Sequence, residues 1–169
     1  MLGRALLIAS AVALGTACAS TRAVPRPFPT PGAGHPPETA VAPATSAPDG
    51  YAVSGSAMTL QGAPYRDGGS DPGGFDCSGL VQYVYGLHAV PLPRTVTDQY
   101  AAGRPVEPDE IQPGDLLFFS TIAPGASHVG IAIGGDEFVH APSSSGEVRV
   151  EHLSSAYWSA RLVGVRRIL

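Results

Sequence analysis

From Tyr51 onward the apolar positions follow two periods in succession, first helical and then alternating. Ala52 to Leu60 predicts a short helix that stops before Gly62 and Pro64. Gly68, Gly69, Pro72, Gly73 and Gly74 then mark a long loop. A second helix begins where Asp76 offers an N-capping carboxylate, and Cys77, Leu80, Val81 and Val84 recur along one face until Gly86. Thr95 to Ala102 predicts a third, introduced by Pro91 and Pro93. Beyond it the pattern turns to strands: Asp115 to Phe119 after a Pro113-Gly114 turn, His128 to Ile133, Glu137 to His140, Val148 to His152 and Leu162 to Ile168. Helices first and strands after predict an α+β domain over residues 51–169, its N-terminal helices packed on a central antiparallel sheet.

Upstream of Tyr51 neither period occurs. Residues 1–20 predict an export signal: Arg4 supplies the positive start, Ala5 to Leu14 an apolar stretch too short to span a bilayer, and Gly15, Thr16 and Ala17 a run of small residues before Cys18. That run resembles a bacterial lipoprotein cleavage box, although Gly15 stands where such boxes usually carry Leu. The resemblance implies that Cys18 is lipidated and anchors the protein to a membrane. Ala19 follows in place of the Asp that holds many lipoproteins at the inner membrane, so in a two-membrane cell the expected site is the outer membrane, with the domain facing the periplasm. The alternative is an A-x-A cleavage over Ala17-Cys18-Ala19 that releases a secreted domain starting at Ser20. Residues 21–50 are rich in Pro, with Ala, Thr, Ser and Gly between, and predict an extended tether of about 3.1 Å per residue.

Composition narrows the chemistry. The 169 residues carry a net charge of -4 with 14% charged residues, a balance that points away from nucleic acid. All 10 basic residues are Arg, so mechanisms that need a neutral amine, such as a Schiff base or a Ser-Lys dyad, are excluded. With Cys18 lipidated or removed, Cys77 is the one thiol left in the domain.

At the first turn of a helix, Cys77 meets unpaired backbone N–H groups whose partial charge favours the thiolate. His128 opens one apolar strand and His140 closes the next, and the Gly134-Gly135 turn between them predicts a hairpin that brings the two together. A neutral imidazole takes a thiol proton, and a second polar group on its far nitrogen fixes the tautomer. The ordinary alternative is a buried structural Cys with two strand histidines satisfied by backbone.

The stretches Ala63-Pro64-Tyr65-Arg66-Asp67-Gly68-Gly69, Phe75-Asp76-Cys77-Ser78-Gly79-Leu80-Val81, Leu92-Pro93-Arg94-Thr95, Pro113-Gly114-Asp115-Leu116-Leu117-Phe118-Phe119, His128-Val129-Gly130-Ile131-Ala132-Ile133-Gly134 and Phe138-Val139-His140-Ala141-Pro142 resemble the NlpC family of cell-wall cysteine peptidases. The resemblance covers nearly all of residues 51–169 and implies a papain-like fold. It also implies a monomeric murein endopeptidase, without cofactor or metal, that hydrolyses peptidoglycan stem or cross-link peptides. Cys77 would then be the nucleophile, His128 the base and His140 its orienting partner. By the same resemblance Tyr65, Asp76, Ser78 and Arg94 are substrate-side, Arg94 with an equal structural alternative. Two readings compete: a catalytically inactive wall-binding lipoprotein, and a zinc site on Cys77, His128 and His140, for which the sequence lacks any close ligand pair.

Overall fold

The structure, a computed structural model, describes residues 49–169, so the expected signal, Cys18 and almost all of the tether lie outside the described residues. Helix α1 (Gly50–Met58) begins one residue inside the stretch expected to be tether, because Asp49 caps it by accepting from the Ala52 N–H at 2.7 Å. Its first turn packs on the Pro113-Gly114 turn so closely that a Cβ at Gly50 would overlap the Pro113 carbonyl.

Between α1 and the next helix the Gly-rich loop forms a small ribbon, β1 (Ser70–Asp71) paired antiparallel with β2 (Gly74–Phe75). The Arg66 to Asp71 ion pair, 2.6 Å, closes it. Helix α2 (Cys77–Leu87) follows, and its apolar stripe of Leu80, Val81, Val84 and Tyr85 is fully buried. Burying side chains of that size stabilises by about 1.5–3 kcal/mol each, so Val84→Asp would unfold the helix from the sheet. Helix α3 (Val96–Ala101) is capped by Thr95, whose Oγ1 accepts from the Asp98 N–H at 3.2 Å.

The remaining chain builds one six-stranded antiparallel sheet. Its strands are β3 (Arg104–Val106), β4 (Leu116–Phe119), β5 (His128–Gly134), β6 (Glu137–His140), β7 (Arg149–His152) and β8 (Leu162–Arg167), in the spatial order β3-β8-β4-β5-β6-β7. Alternation divides β4 between two cores: Leu116 and Phe118 meet the α1 and α2 residues, while Leu117 and Phe119 meet Phe138, Val165 and Trp158 on the other face. Trp158 comes from α4 (Ala156–Ser159), a single turn capped by Ser155. The predicted α+β architecture is therefore present, with the β1–β2 ribbon, β3 and α4 among the additions.

Position in the sheet decides what the histidines can do. His128 and His140 share the face of Phe119 and Phe138, whereas their neighbours Val129 and Val139 lie in the helix-side core. Within β5 and β6, Ile131 pairs with Val139 and Ala132 with Phe138, and one further step sets Gly130 across from His140. A Cβ on Gly130 would press into the Phe138 ring at 2.6 Å, so glycine lets that ring lie flat where a side chain would lift it.

Candidate active site

Cys77 is the first residue of α2, and Asp76 fixes that start by accepting from the Gly79 N–H at 2.7 Å. Gly79 permits a second restraint, since a Cβ there would overlap the Gly69 carbonyl, which itself accepts from the Asp76 N–H at 3.1 Å. The nucleophile candidate thus sits on a helix end clasped to a loop. Backbone N–H groups of Val129, Ser78 and Cys77 all favour its thiolate. Burial outweighs them, aided by the neighbouring Asp76 carboxylate, and pushes the thiol above its ordinary range. Burial and the Asp76 carboxylate thus oppose the lowering that the helix start had suggested.

The two histidines meet as the hairpin predicted. Nε2 of His128 and Nδ1 of His140 are hydrogen-bonded at 2.8 Å, with the ring planes at 88°. Trp158 stacks on His128 at 5.7 Å and 23°, and stands perpendicular to His140 at 4.9 Å. In this aromatic surround burial lowers His128 to about 4. His140 falls to about 2, by burial first and then by the nearby His128 and Arg149. Both imidazoles are neutral at neutral pH. With Nε2 of His128 engaged by His140, Nδ1 is the ring nitrogen outside that bond. Among the described residues Nε2 of His140 is buried without a hydrogen-bond partner.

Tyr65 lies against the same cleft, and its phenol is raised by burial first and by the Asp67, Cys77 and Asp76 charges after it. The other three sequence-predicted residues form a network of their own. Arg94 donates from Nη1 to Asp76 Oδ1 and to the Ser78 hydroxyl, both at 2.9 Å, and from Nη2 to Asp76 Oδ2 at 2.5 Å. A longer bond of 3.3 Å reaches the Gly69 carbonyl. Asp76, Ser78 and Arg94 thereby join the start of α2 to its loop, and none of the three lines the cleft that Cys77 lines. Asp115 accepts from the Gln112 N–H and pairs with Arg167 through two nitrogens.

The cleft itself has a volume of about 540 Å³ and is lined by Cys77, His128, His140 and Tyr65 together. Its far wall is Ser143 to Ser145, Arg149, Glu151 and Trp158, none of which the sequence patterns singled out. A zinc ion held by both imidazole nitrogens that face each other needs them roughly 3.3 Å apart at tetrahedral geometry. At 2.8 Å they bond to each other instead. Among the described residues no group of three His, Cys, Asp or Glu is arranged to hold a metal.

Residues 62–167 match the model of the NlpC/P60 family. The chain belongs to this family. It is 43% identical over 117 residues to the murein DD-endopeptidase MepH of Escherichia coli K12, covering 66% of this chain and 43% of that protein. It is 40% identical over 116 residues to the gamma-DL-glutamyl hydrolase of Bacillus subtilis 168, covering 66% of this chain and 28% of that one. The chain thus spans less than half the length of either relative. Among solved structures, the NlpC/p60 domain of the peptidoglycan hydrolase SagA superposes with a TM-score of 0.62 at 34% identity, over 71% of this chain and 99% of that domain. As an NlpC/P60 domain, the chain brings a thiol and two hydrogen-bonded neutral imidazoles to one cleft.

Proposed function

We propose that this chain is a peptidoglycan endopeptidase that hydrolyses stem or cross-link peptides through a thioester on Cys77. The observation that carries this reading is the cleft in which Cys77 and the hydrogen-bonded His128–His140 pair lie together on an NlpC/P60 fold. The names of the two relatives, one a DD-endopeptidase and one a DL-glutamyl hydrolase, support the class and leave both bond types open.

In the first half-reaction the Cys77 sulfur attacks the peptide carbonyl carbon while Nδ1 of His128 accepts the thiol proton. The imidazolium so formed donates its Nε2–H to His140, which must accept at Nδ1 and is therefore the Nε2–H tautomer. Negative charge gathers on the former carbonyl oxygen, for which the Cys77 N–H at the α2 start is the nearest backbone donor by connectivity. Collapse breaks the C–N bond, and His128 passes its proton to the departing amine. Water then attacks the thioester with His128 again as base. The C–S bond breaks, the proton returns to sulfur, and the acid product leaves. Intact-mass measurement of the full chain during turnover tests this directly: a covalent adduct on Cys77 matching the acyl half of the substrate is the expected product.

Export and anchoring belong to the same proposal. The signal-like start and the run before Cys18 support lipidation at Cys18, with the domain held on the outer membrane toward the periplasm by the proline-rich tether. Fractionation of an expressing bacterial host and the mass of the mature N-terminus decide it. A lipid-modified Cys18 in the membrane fraction is expected, and a soluble product beginning at Ser20 refutes the anchor.

A further inference from the structure

We propose that Arg149 and Glu151 form a subsite that reads an α-amino-acid head group on the substrate, its carboxylate at Arg149 and its ammonium at Glu151. The proposal rests on the peptidase reading of the cleft and adds to it what the cleft selects.

The two residues belong to the site by register. On β6 and β7, His140 pairs with Arg149 and Phe138 with Glu151, so both charged side chains project from the face that carries the two histidines. Both line the cleft, where they are the acidic and basic side chains among the residues of its wall, which are otherwise neutral or histidine. A charged substrate group entering the cleft meets these two.

A purely structural role explains them poorly. Arg149 Nε approaches Glu151 Oε1 at 3.0 Å, yet the side chains stay 47% and 32% exposed. An ion pair so open contributes little to stability. It also joins residues two apart on one strand, and so ties no element to another. The contrast within the chain is direct: Arg94 and Arg167 each bind a carboxylate through two nitrogens, and those pairs bridge distant segments. A lone carboxylate approaching Arg149 is repelled by Glu151, and a lone ammonium approaching Glu151 is repelled by Arg149. A group bearing both charges on one carbon complements both. The distal end of a diaminodicarboxylic acid in an uncross-linked stem peptide is such a group, whereas a distal amine that carries a cross-link is acylated and uncharged. The subsite therefore favours uncross-linked stems.

Three synthetic stem peptides with the same scissile bond test this, differing only at the distal carbon of the diamino acid. One keeps the free carboxylate and ammonium, one has the carboxylate amidated, and one has the amine acetylated. Binding is measured by calorimetry on the full chain carrying Cys77→Ala, and kcat/KM on the chain with Cys77 intact. The free head group should be preferred by about 10- to 100-fold. Arg149→Gln should collapse its preference over the amide to about one, Glu151→Gln should do the same against the acetylated peptide, and Arg149→Lys should keep part of it. The rate of Cys77 alkylation by iodoacetamide checks that each variant retains an intact site. Equal binding of the three peptides, or an equal loss on all three in Arg149→Gln, overturns the subsite. Discrimination in binding without any hydrolysis by the Cys77 chain would instead reject the peptidase reading and leave the subsite standing.

Discussion

Nε2 of His128 and Nδ1 of His140 lie 2.8 Å apart with their rings perpendicular, and the proposed mechanism turns on this one contact. It commits one nitrogen of His128 to its partner and leaves Nδ1 for the thiol. The partner is a neutral imidazole in an aromatic pocket, so it orients the base without lending it a negative charge.

Removing the orienting ring should therefore slow turnover without abolishing it. For His140→Ala the expected loss in kcat is about 100-fold with little change in KM. His140→Gln should retain more activity, because an amide oxygen can still accept from the His128 Nε2–H. Steady-state hydrolysis of a stem peptide measures both. A loss as deep as that of Cys77→Ala, or no difference between the two His140 variants, contradicts the orienting role.

The pH profile follows from the burial of both histidines. His128 must be neutral to accept a proton, and burial lowers it to about 4, so the acid limb of kcat/KM belongs near pH 4 to 5 instead of near the ordinary histidine value of about 6.5. Stability moves in the same direction. Both folded values lie below the unfolded one, so the unfolded chain binds more protons as pH falls below about 6.5. Stability is fully present above that pH and is lost as pH drops toward the folded values. A thermal melt that is unchanged from pH 7 to pH 4.5 argues against buried neutral histidines.

Arg94 should act on the thiol through Asp76. It neutralises a carboxylate that otherwise disfavours the Cys77 thiolate, so Arg94→Ala raises the thiol pKa further and slows its alkylation by iodoacetamide at neutral pH. Leaving Asp76 partly buried and unpaired should also cost about 1–3 kcal/mol of stability. Arg94→Lys restores part of the alkylation rate but not the two-nitrogen bond. Alkylation rates against pH for the three proteins give the answer. Identical profiles mean that Arg94 does no more than hold the loop.

How much of this could be read from residues alone depended on whether the cause was local. Asp76 caps the Gly79 N–H three residues away, so the start of α2 and the placement of Cys77 were legible. The meeting of His128 and His140 was legible too, because a short turn between two strands sets which ends come together. The direction of the Cys77 shift was not. It comes from burial and from Asp76, and a helix-end argument sees neither.

Trp158 was hidden for a similar reason. It reaches the histidine pair from a single-turn helix whose only sequence mark is the Ser155 cap, and four residues give no period to detect. Arg149 and Glu151 read as an ordinary solvent-facing alternation, and only the β6–β7 register turns that face toward the cleft. The two roles weighed equally for Arg94 could not be told apart in sequence, where its bonds to Asp76 and Ser78, 18 and 16 residues away, are invisible.

The identity of the nucleophile is tested most directly by digesting purified peptidoglycan of several compositions with the full chain and with its Cys77→Ala variant, and separating the products by mass spectrometry. New fragments cut at a stem or cross-link peptide bond are predicted from the unaltered chain. The variant, which loses one sulfur and keeps its fold, should make them at least about a thousand-fold more slowly. Muropeptides left unchanged by the unaltered chain, or released by Cys77→Ala at the same rate, would contradict a thioester mechanism at Cys77.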